Sequence, residues 1–418
     1  MRSRLAVCGA LILLIGACAA LKPATSSLST QGPTPASTAR QTTPTPVAAL
    51  TSCTTLPVGT SPTSTQALVL GRLFGSTDWV VRDVTDVNNP ATLASLGDRW
   101  RWADQSGGTT LDARLIDPAT VVWADRNAAG SLVESAPNGS GLKTIVPGKS
   151  GNAIVSFAWS PAGRDWTYLV NTPAALEWHL VAAGRDRVLV SLPPIPPHGG
   201  RPIVDPLMVS YSRDGTFLAM IDYDRAGIGG GGDQAKMQIR RADGTLLTTD
   251  AQPGLSGGII SDIIWVNSSL FFRDLSGIEV WSQSGVCSAL PGVQWIRPKL
   301  SPNGKLIAFH TEDANGLPHV YVLDLSTGTV RQASPGGGAE PWFIGHNYLW
   351  FLEERLCAAN EPCGSAYGQS ELTGKTLIAN LATGAASGSR IARIADTFPR
   401  PGQPNFDNMW WMDASVSV

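Results

Sequence analysis

A short turn motif recurs along this chain, and its spacing limits the fold more than any other feature. The clearest copy is Pro298-Lys299-Leu300-Ser301-Pro302-Asn303-Gly304-Lys305-Leu306-Ile307-Ala308-Phe309. A second strand-like run follows at His319 to Leu325, then the turn Ser326-Thr327-Gly328 and a third run at Thr329 to Ala333. Asn and Gly accept positive φ, so such turns join short antiparallel strands into a meander. The opening recurs at Trp159-Ser160-Pro161-Ala162-Gly163-Arg164 and at Tyr211-Ser212-Arg213-Asp214-Gly215-Thr216. Degenerate copies stand at Leu115-Ile116-Asp117-Pro118, Trp265-Val266-Asn267-Ser268 and Phe343-Ile344-Gly345-His346-Asn347. The anchors fall near 116, 160, 212, 266, 301 and 344, at intervals of 44, 52, 54, 35 and 43 residues. A period of that size with several short strands per unit predicts an all-β propeller.

Composition agrees. The chain has 418 residues with 44 Gly, 30 Pro and 14 Trp, and only 15% are charged. Coiled coils need Glu/Lys/Leu-rich heptads and are excluded. A formal net charge of -2 argues against a nucleic-acid binder, which would need a basic stripe to neutralise phosphates. The Trp side chains suit blade packing, because large flat rings fill the wedge between twisted sheets.

The repeat resembles the WD40-like (PD40) repeat of the TolB carboxy-terminal propeller and of the prolyl oligopeptidase class. That motif runs from an aromatic residue through Ser-Pro-Asp-Gly-Lys into an apolar strand. Ser301 to Lys305 matches it with Asn303 in place of Asp, and Ser160 to Arg164 and Ser212 to Thr216 match more loosely. The resemblance spans about residues 110–395 and implies a propeller fold; the motif itself is a structural turn and implies no reaction. TolB carries an amino-terminal α/β domain, and here a tether stands in its place.

The six anchors give six blades. Three further strand-like runs, Ala67 to Leu73, Asp78 to Val84 and Ala91 to Leu96, would make a seventh, closed by a strand from Asn408 to Val418 that includes Trp410 and Trp411. Seven blades is the expectation and six the alternative.

The amino-terminal end reads as an address. Arg2 and Arg4 precede an apolar run from Leu5 to Ile15, too short to span a bilayer as a mature helix. It ends in Ile15-Gly16-Ala17-Cys18, which resembles the lipobox of bacterial lipoproteins. The resemblance implies a signal peptide over 1–17, diacylglycerol and palmitate-type acylation at Cys18, and a place on the cell membrane or outer membrane, facing the extracytoplasmic side. The alternative is an ordinary secretory signal with Cys18 incidental. In residues 19–52, Ala, Ser, Thr and Pro make up 25 of 34 positions, a composition that cannot bury enough surface to fold. Residues 18–52 are therefore expected to form a disordered tether and 53–418 the propeller domain.

Cys53, Cys287, Cys357 and Cys363 remain, an even number for an oxidising compartment. Cys357 and Cys363 bracket a short turn-rich loop, so local pairing is the simplest choice, which leaves Cys53 with Cys287. The rival reading, metal binding, finds no Cys-x-x-Cys and no ligand spacing among His179, His198, His310, His319 and His346.

Other candidates for chemistry are set against plainer readings. Gly254-Leu255-Ser256-Gly257-Gly258 has the nucleophile-elbow pattern but no helix pattern after it. Gly227 to Gly232 fits Gly-x-Gly-x-x-Gly, yet a hairpin loop explains it better than a phosphate cradle. Asp83 to Asn89, and Asp222, Asp224 and Asp233, offer oxygen ligands without calcium-loop spacing. Glu353-Glu354-Arg355 reads as a solvated strand edge leading into the Cys357–Cys363 loop, an excursion suited to interaction. His310 and His319 read as exposed or structural, and Asp222, Asp262 and Glu340 lie near strand starts, where carboxylates could line a channel. The expectation is a monomeric binding or scaffold propeller with no catalytic residues, cofactor or metal, whose partner is an envelope protein, a peptide or a glycan. The rival is a propeller enzyme acting on extracellular glycans or peptides.

Overall fold

The computed structural model describes residues 52–59, 67–72, 79–97, 113–117, 120–125, 131–136, 140–161, 165–194, 208–222, 236–248, 261–274, 276–358, 370–389 and 415–417. Val47–Val418 is one compact unit. Its described elements form seven sheets of four antiparallel strands.

The first sheet joins both chain ends: β1 (Ala67–Arg72), β2 (Trp79–Asp83) and β3 (Ala91–Gly97) follow one another, and β28 (Ser415–Ser417) pairs with β1. The second holds β4 (Ala113–Asp117), β5 (Thr120–Asp125), β6 (Ser131–Ser135) and β7 (Lys143–Val146). The third holds β8 (Ala153–Trp159), β9 (Trp166–Asn171), β10 (Leu176–Ala182) and β11 (Arg185–Leu192). In the fourth are β12 (Met208–Tyr211), β13 (Phe217–Asp222), β14 (Lys236–Arg241) and β15 (Leu246–Thr248). The fifth has β16 (Ser261–Val266), β17 (Ser269–Asp274), β18 (Gly277–Ser282) and β19 (Gly285–Pro291). The sixth has β20 (Ile296–Leu300), β21 (Leu306–Glu312), β22 (Pro318–Asp324) and β23 (Val330–Gln332). The seventh has β24 (Gly337–Ile344), β25 (Tyr348–Leu356), β26 (Ser370–Asn380) and β27 (Ala386–Gly388).

Successive sheets stack face to face, so alternate residues of one strand enter different cores. In β9, Leu169 packs with Val209 and Leu218 of the fourth sheet, whereas Tyr168 and Val170 pack with Val122 and Leu132 of the second. In β17, Phe272 faces the fourth sheet and Phe271 faces Ile307 and Phe309 of the sixth. Burial on both faces explains why the strands read as continuous apolar runs rather than as alternation. The first strands of neighbouring sheets, with β28 taking that place in the first sheet, lie side by side: β28 by β4, β8 by β12, β16 by β20, β20 by β24, and β24 by β28.

All six repeat anchors fall at the junction of a first and a second strand. In the sixth sheet Ser301 Oγ accepts the Leu306 N–H at 2.9 Å and donates to Asn303 Oδ1 at 2.7 Å, while Asn303 Oδ1 accepts the Lys305 N–H at 3.1 Å. The fourth sheet repeats the pattern with Ser212, Phe217, Asp214 and Thr216. Only the side-chain oxygen is used, so Asn303 serves where the related turn has Asp214. Ser301 is fully buried. Ser301→Ala would leave the Leu306 N–H without its acceptor, and we expect a loss of about 1–2 kcal/mol, read from denaturant midpoints. An unchanged midpoint would show that the hydroxyl is dispensable.

Three outcomes sharpen the sequence reading. Of the closing strand expected over Asn408 to Val418, the described residues show Ser415–Ser417 paired with β1; Trp410 and Trp411 lie outside the described residues. Asp83 and Asp86 build turns, accepting the N–H groups of Thr85 and Asn88 at 2.9 Å each. Glu353-Glu354-Arg355 is not at a sheet edge, since β25 is paired on both sides, and only Arg355 of the three is exposed. Glu354 lies partly buried beside Ser370, Glu353 accepts from Thr373 Oγ1 at 2.7 Å, and Arg355 pairs with Glu371.

The segment entering the fold is strapped across the fifth and sixth sheets. Ser52 bridges to Ser288 of β19, Cys53 is disulfide-bonded to Cys287, and Leu56 joins the core around Trp295. Farther on, Asn267 Nδ2 donates to the Val58 carbonyl at 2.8 Å, and the Gly59 N–H donates to the Gly304 carbonyl at 2.7 Å.

Candidate functional site

The site is built on irregularities in three neighbouring first strands. Antiparallel register is broken between Ser261 and Ile264 in β16, between Ile296 and Lys299 in β20, and between Ala339 and Trp342 in β24. Each break holds two residues: Asp262-Ile263, Arg297-Pro298 and Glu340-Pro341. Bulges re-aim side chains, and Pro is tolerated there because the ladder needs no N–H. Arg297 and Glu340 have φ of 51° and 56°. A left-handed backbone at a residue with a long side chain is uncommon, and strain of this kind collects at functional positions.

These two residues meet. Arg297 Nε lies 3.0 Å from Glu340 Oε1, and the Glu340 side chain is only 4% exposed against 27% for Arg297. Beneath them sits His310 of β21, directly across from Ile296 in the ladder and buried. The Glu340 N–H donates to His310 Nδ1 at 3.3 Å. A neutral imidazole carries one proton, so an accepting Nδ1 places it on Nε2. Burial pushes the His310 pKa down to about 3, and the positive charges of Arg297 and Arg273 add to the effect. Arg273 enters from β17, across from Ser261. The ring is therefore a neutral N–H donor at ordinary pH, with its lone pair already engaged.

A second titratable group lies between the sixth and seventh sheets. Glu354 of β25 accepts from Ser370 Oγ at 2.9 Å. Burial raises its carboxyl pKa to about 7, against the Ser370 hydrogen bond and with help from the Glu312 charge.

The other expected sites fare differently. Cys53 and Cys287 are joined, and Cys357 is disulfide-bonded; Cys363 lies outside the described residues. Cys18, Gly227 to Gly232, Gly254 to Gly258, Asp224 and Asp233 lie outside them too. Asp222 ends β13 and Asp262 stands second in β16, with side chains that are not described. His319 is tied down, near Asp313 Oδ2 at 3.3 Å and the Gly336 carbonyl at 3.0 Å. Among the described residues no group of three or more His, Cys, Asp or Glu could hold a metal ion, and no helix is long and apolar enough to cross a membrane.

Sequence reasoning named Asp262 and Glu340 but missed Arg297. A signal was there: all three stand four residues before a repeat anchor, at 266, 301 and 344.

No protein-family profile matches the chain, and no curated protein matches it. Solved structures do. A puromycin-hydrolysing peptidase of Mycobacterium tuberculosis superposes with a TM-score of 0.50 at 14% identity, over 83% of this chain and 57% of that one. A prolyl endopeptidase gives a TM-score of 0.50 at 14% identity, over 80% of this chain and 49% of that one. The fold is of the β-propeller kind. This chain thus spans about half the length of the peptidases it resembles. TolB from Acinetobacter baumannii also matches, with a TM-score of 0.38 at 15% identity over 75% of this chain and 76% of that one. At such identities the likeness concerns fold alone.

Proposed function

We propose that the chain is a lipid-anchored, extracytoplasmic seven-bladed β-propeller that binds an envelope partner through the mouth formed by its first strands. The observation that carries the binding role is the state of the acid–base atoms there. Glu340 is held by Arg297, and the His310 lone pair is held by the Glu340 N–H. Neither group is poised to take a proton from a substrate, whereas a rigid array of donors suits recognition. Seven four-stranded sheets with one shared between the chain ends favour seven blades over six. The lipobox at Ile15 to Cys18 and the tether behind it favour the anchor.

Two experiments test this. Cys18→Ser is expected to abolish incorporation of labelled acyl chains and to release the protein from membranes; a variant that stays acylated removes the anchor. Crosslinking the full chain in its envelope should capture a discrete partner whose yield saturates. Retention of small metabolites alone, without any such partner, would overturn the scaffold reading.

One observation favours the rival enzyme. The Glu354 carboxyl titrates near neutrality, as a general acid must. Under that reading Glu354→Gln would abolish turnover of an extracellular peptide or glycan; under ours it leaves partner capture unchanged.

A further inference from the structure

Resting on the lipid-anchor half of the reading above, we infer that the outer rim where the third and fourth sheets meet lies on an anionic bilayer surface. Placement comes first. β11 is the outermost strand of the third sheet, and the turn between β14 and β15 of the fourth sheet packs against it. The Arg187 guanidinium donates to the Asp243 carbonyl of that turn, and Arg240 Nη1 donates to the Gly244 carbonyl at 2.9 Å. A Cβ on Gly244 would come within 2.9 Å of Arg187 Nη2. Two guanidinium groups therefore meet on one turn. Arg185 of β11 and Arg241 of β14 are exposed beside them.

The second observation is charge. Among the described residues none of these four arginines makes an ion pair. Arg240 is held by neutral groups, with Nη2 3.2 Å from Gln238 Oε1 and the guanidinium 5.4 Å above the Trp178 ring. Asp186, on the other face of β11, accepts from the Tyr168 hydroxyl at 2.6 Å and lies 2.9 Å from His179 Nδ1. Asp243 does feel Arg241 and Arg187, but its Oδ1 accepts the Thr245 N–H at 2.8 Å within its own turn. One carboxylate does not balance four cations. A chain of formal net charge -2 offers no compositional reason for the excess, and unbalanced like charge attracts an anionic surface.

The kind of anion follows from the flanks. Val188 and Leu246 are 48% and 45% exposed on the same two outer strands. Arginine beside open aliphatic side chains suits a bilayer interface, where phosphate oxygens take the guanidinium and the acyl boundary takes the aliphatic groups. An acidic glycan would want an open aromatic face, and Trp178 beneath Arg240 is buried.

Orientation agrees. The Ala242 N–H donates to the Thr216 carbonyl at 2.8 Å, and the Ala183 N–H to Asp165 Oδ1 at 3.2 Å. The rim thus lies at the end of the sheets that carries the repeat turns, away from the strand starts that form the mouth. The expected tether joins the body at Ser52, on β19 of the neighbouring fifth sheet. A bilayer at this rim leaves the mouth turned toward a partner.

The test places the full chain, isolated from membranes, in vesicles of phosphatidylcholine alone or with a one-third share of phosphatidylglycerol. Hydrogen exchange is followed over β11 and over the β14–β15 hairpin. Exchange there should slow about fivefold or more in the anionic vesicles, and about 0.5 M salt should restore it. Arg185→Gln, Arg187→Gln and Arg241→Gln together should abolish the slowing with the thermal midpoint close to the parent's, and lysine at the same positions should keep it. Equal exchange in the two vesicles, or slowing that survives the glutamine changes, would overturn the inference. Inorganic phosphate that slows exchange as strongly in neutral vesicles would overturn the bilayer assignment. Mass spectrometry of the same sample reports acylation and separates the two readings. An acylated, vesicle-bound chain with an unprotected rim sinks this inference and leaves the anchor standing. An unacylated chain still protected by anionic vesicles sinks the anchor and leaves the rim.

Discussion

Replacing Cys53 and Cys287 together by Ala should lower the unfolding free energy by about 2–5 kcal/mol, the largest effect expected of any change outside the cores. The bond closes a loop with a sequence separation of 234 residues. Tying the unfolded chain at such a distance removes much of its entropy, about 5 kcal/mol in the loop-closure treatment. The folded state contributes as well. Beyond Cys53 the strap is held by Leu56 in the core of the fifth and sixth sheets and by the hydrogen bonds of Val58 and Gly59. Gly59 and Gly304 touch backbone to backbone: a Cβ on Gly304 would come within 2.5 Å of the Gly59 Cα, and Gly304 has φ of 67°. Gly304→Ala therefore strains the turn and lifts the strap at once. Denaturant midpoints, with limited proteolysis of residues 52–59, measure both effects. A double-Cys variant that loses less than about 1 kcal/mol would mean that the strap, and not the covalent link, does the holding.

How much of this could be read beforehand depends on what each part of the chain encodes locally. The turns were legible because their chemistry is local. Ser301, Asn303 and Gly304 solve one backbone problem within a few residues, and the same problem recurs wherever a first strand meets a second. Repetition then supplied the sheet count, and the chain-end strands supplied the seventh sheet. The pairing of Cys53 with Cys287 followed by elimination, once the short loop between Cys357 and Cys363 was read as a local pair.

The site was only half legible. Glu340 and Asp262 drew notice as acids near strand starts, but Arg297 is a common residue before a Pro. What gives it meaning is register: the bulge that aims it toward Glu340 exists only once β20 and β21 are paired. His310 was illegible for a similar reason. It lies in an apolar run of β21, and its burial depends on a sheet brought in from residue 337 onward. Glu354 was misread as solvated because Ser370, which covers it, lies 16 residues away beyond the Cys357 excursion.

His310 and Glu354 together make the pH dependence of stability an expected partial cancellation. The folded His310 has a pKa of about 3 against 6.5 in the unfolded chain. The unfolded state therefore binds the extra proton, and stability is lost as pH falls below 6.5. Glu354 runs the other way. Its folded pKa is about 7 against 4.5, so the folded state holds the proton and stability is lost as pH rises from 4.5 to 7. Each slope approaches about 1.4 kcal/mol per pH unit at most, and the two oppose one another between pH 4.5 and 6.5. Asp313, held down by the N–H groups of Leu317 and Asn315, and Asp324, held down by the Ser326 hydroxyl, titrate below this window. The Glu279 carboxyl, whose pKa burial also raises, adds to the Glu354 side, so the cancellation is partial and the parent's thermal midpoint should fall only gently with rising pH across this window. His310→Gln, whose amide oxygen can still accept the Glu340 N–H, should expose a midpoint that falls more steeply with rising pH. Glu354→Gln, which keeps an acceptor for Ser370, should expose one that rises. At pH 6.5 Glu354→Gln should be more stable than the parent by about 2–3 kcal/mol, because burial keeps the folded Glu354 carboxyl mostly protonated while the unfolded chain gains from ionising it. Identical slopes in the two variants would mean that neither group carries the linkage, and that both sit in more water than their packing implies.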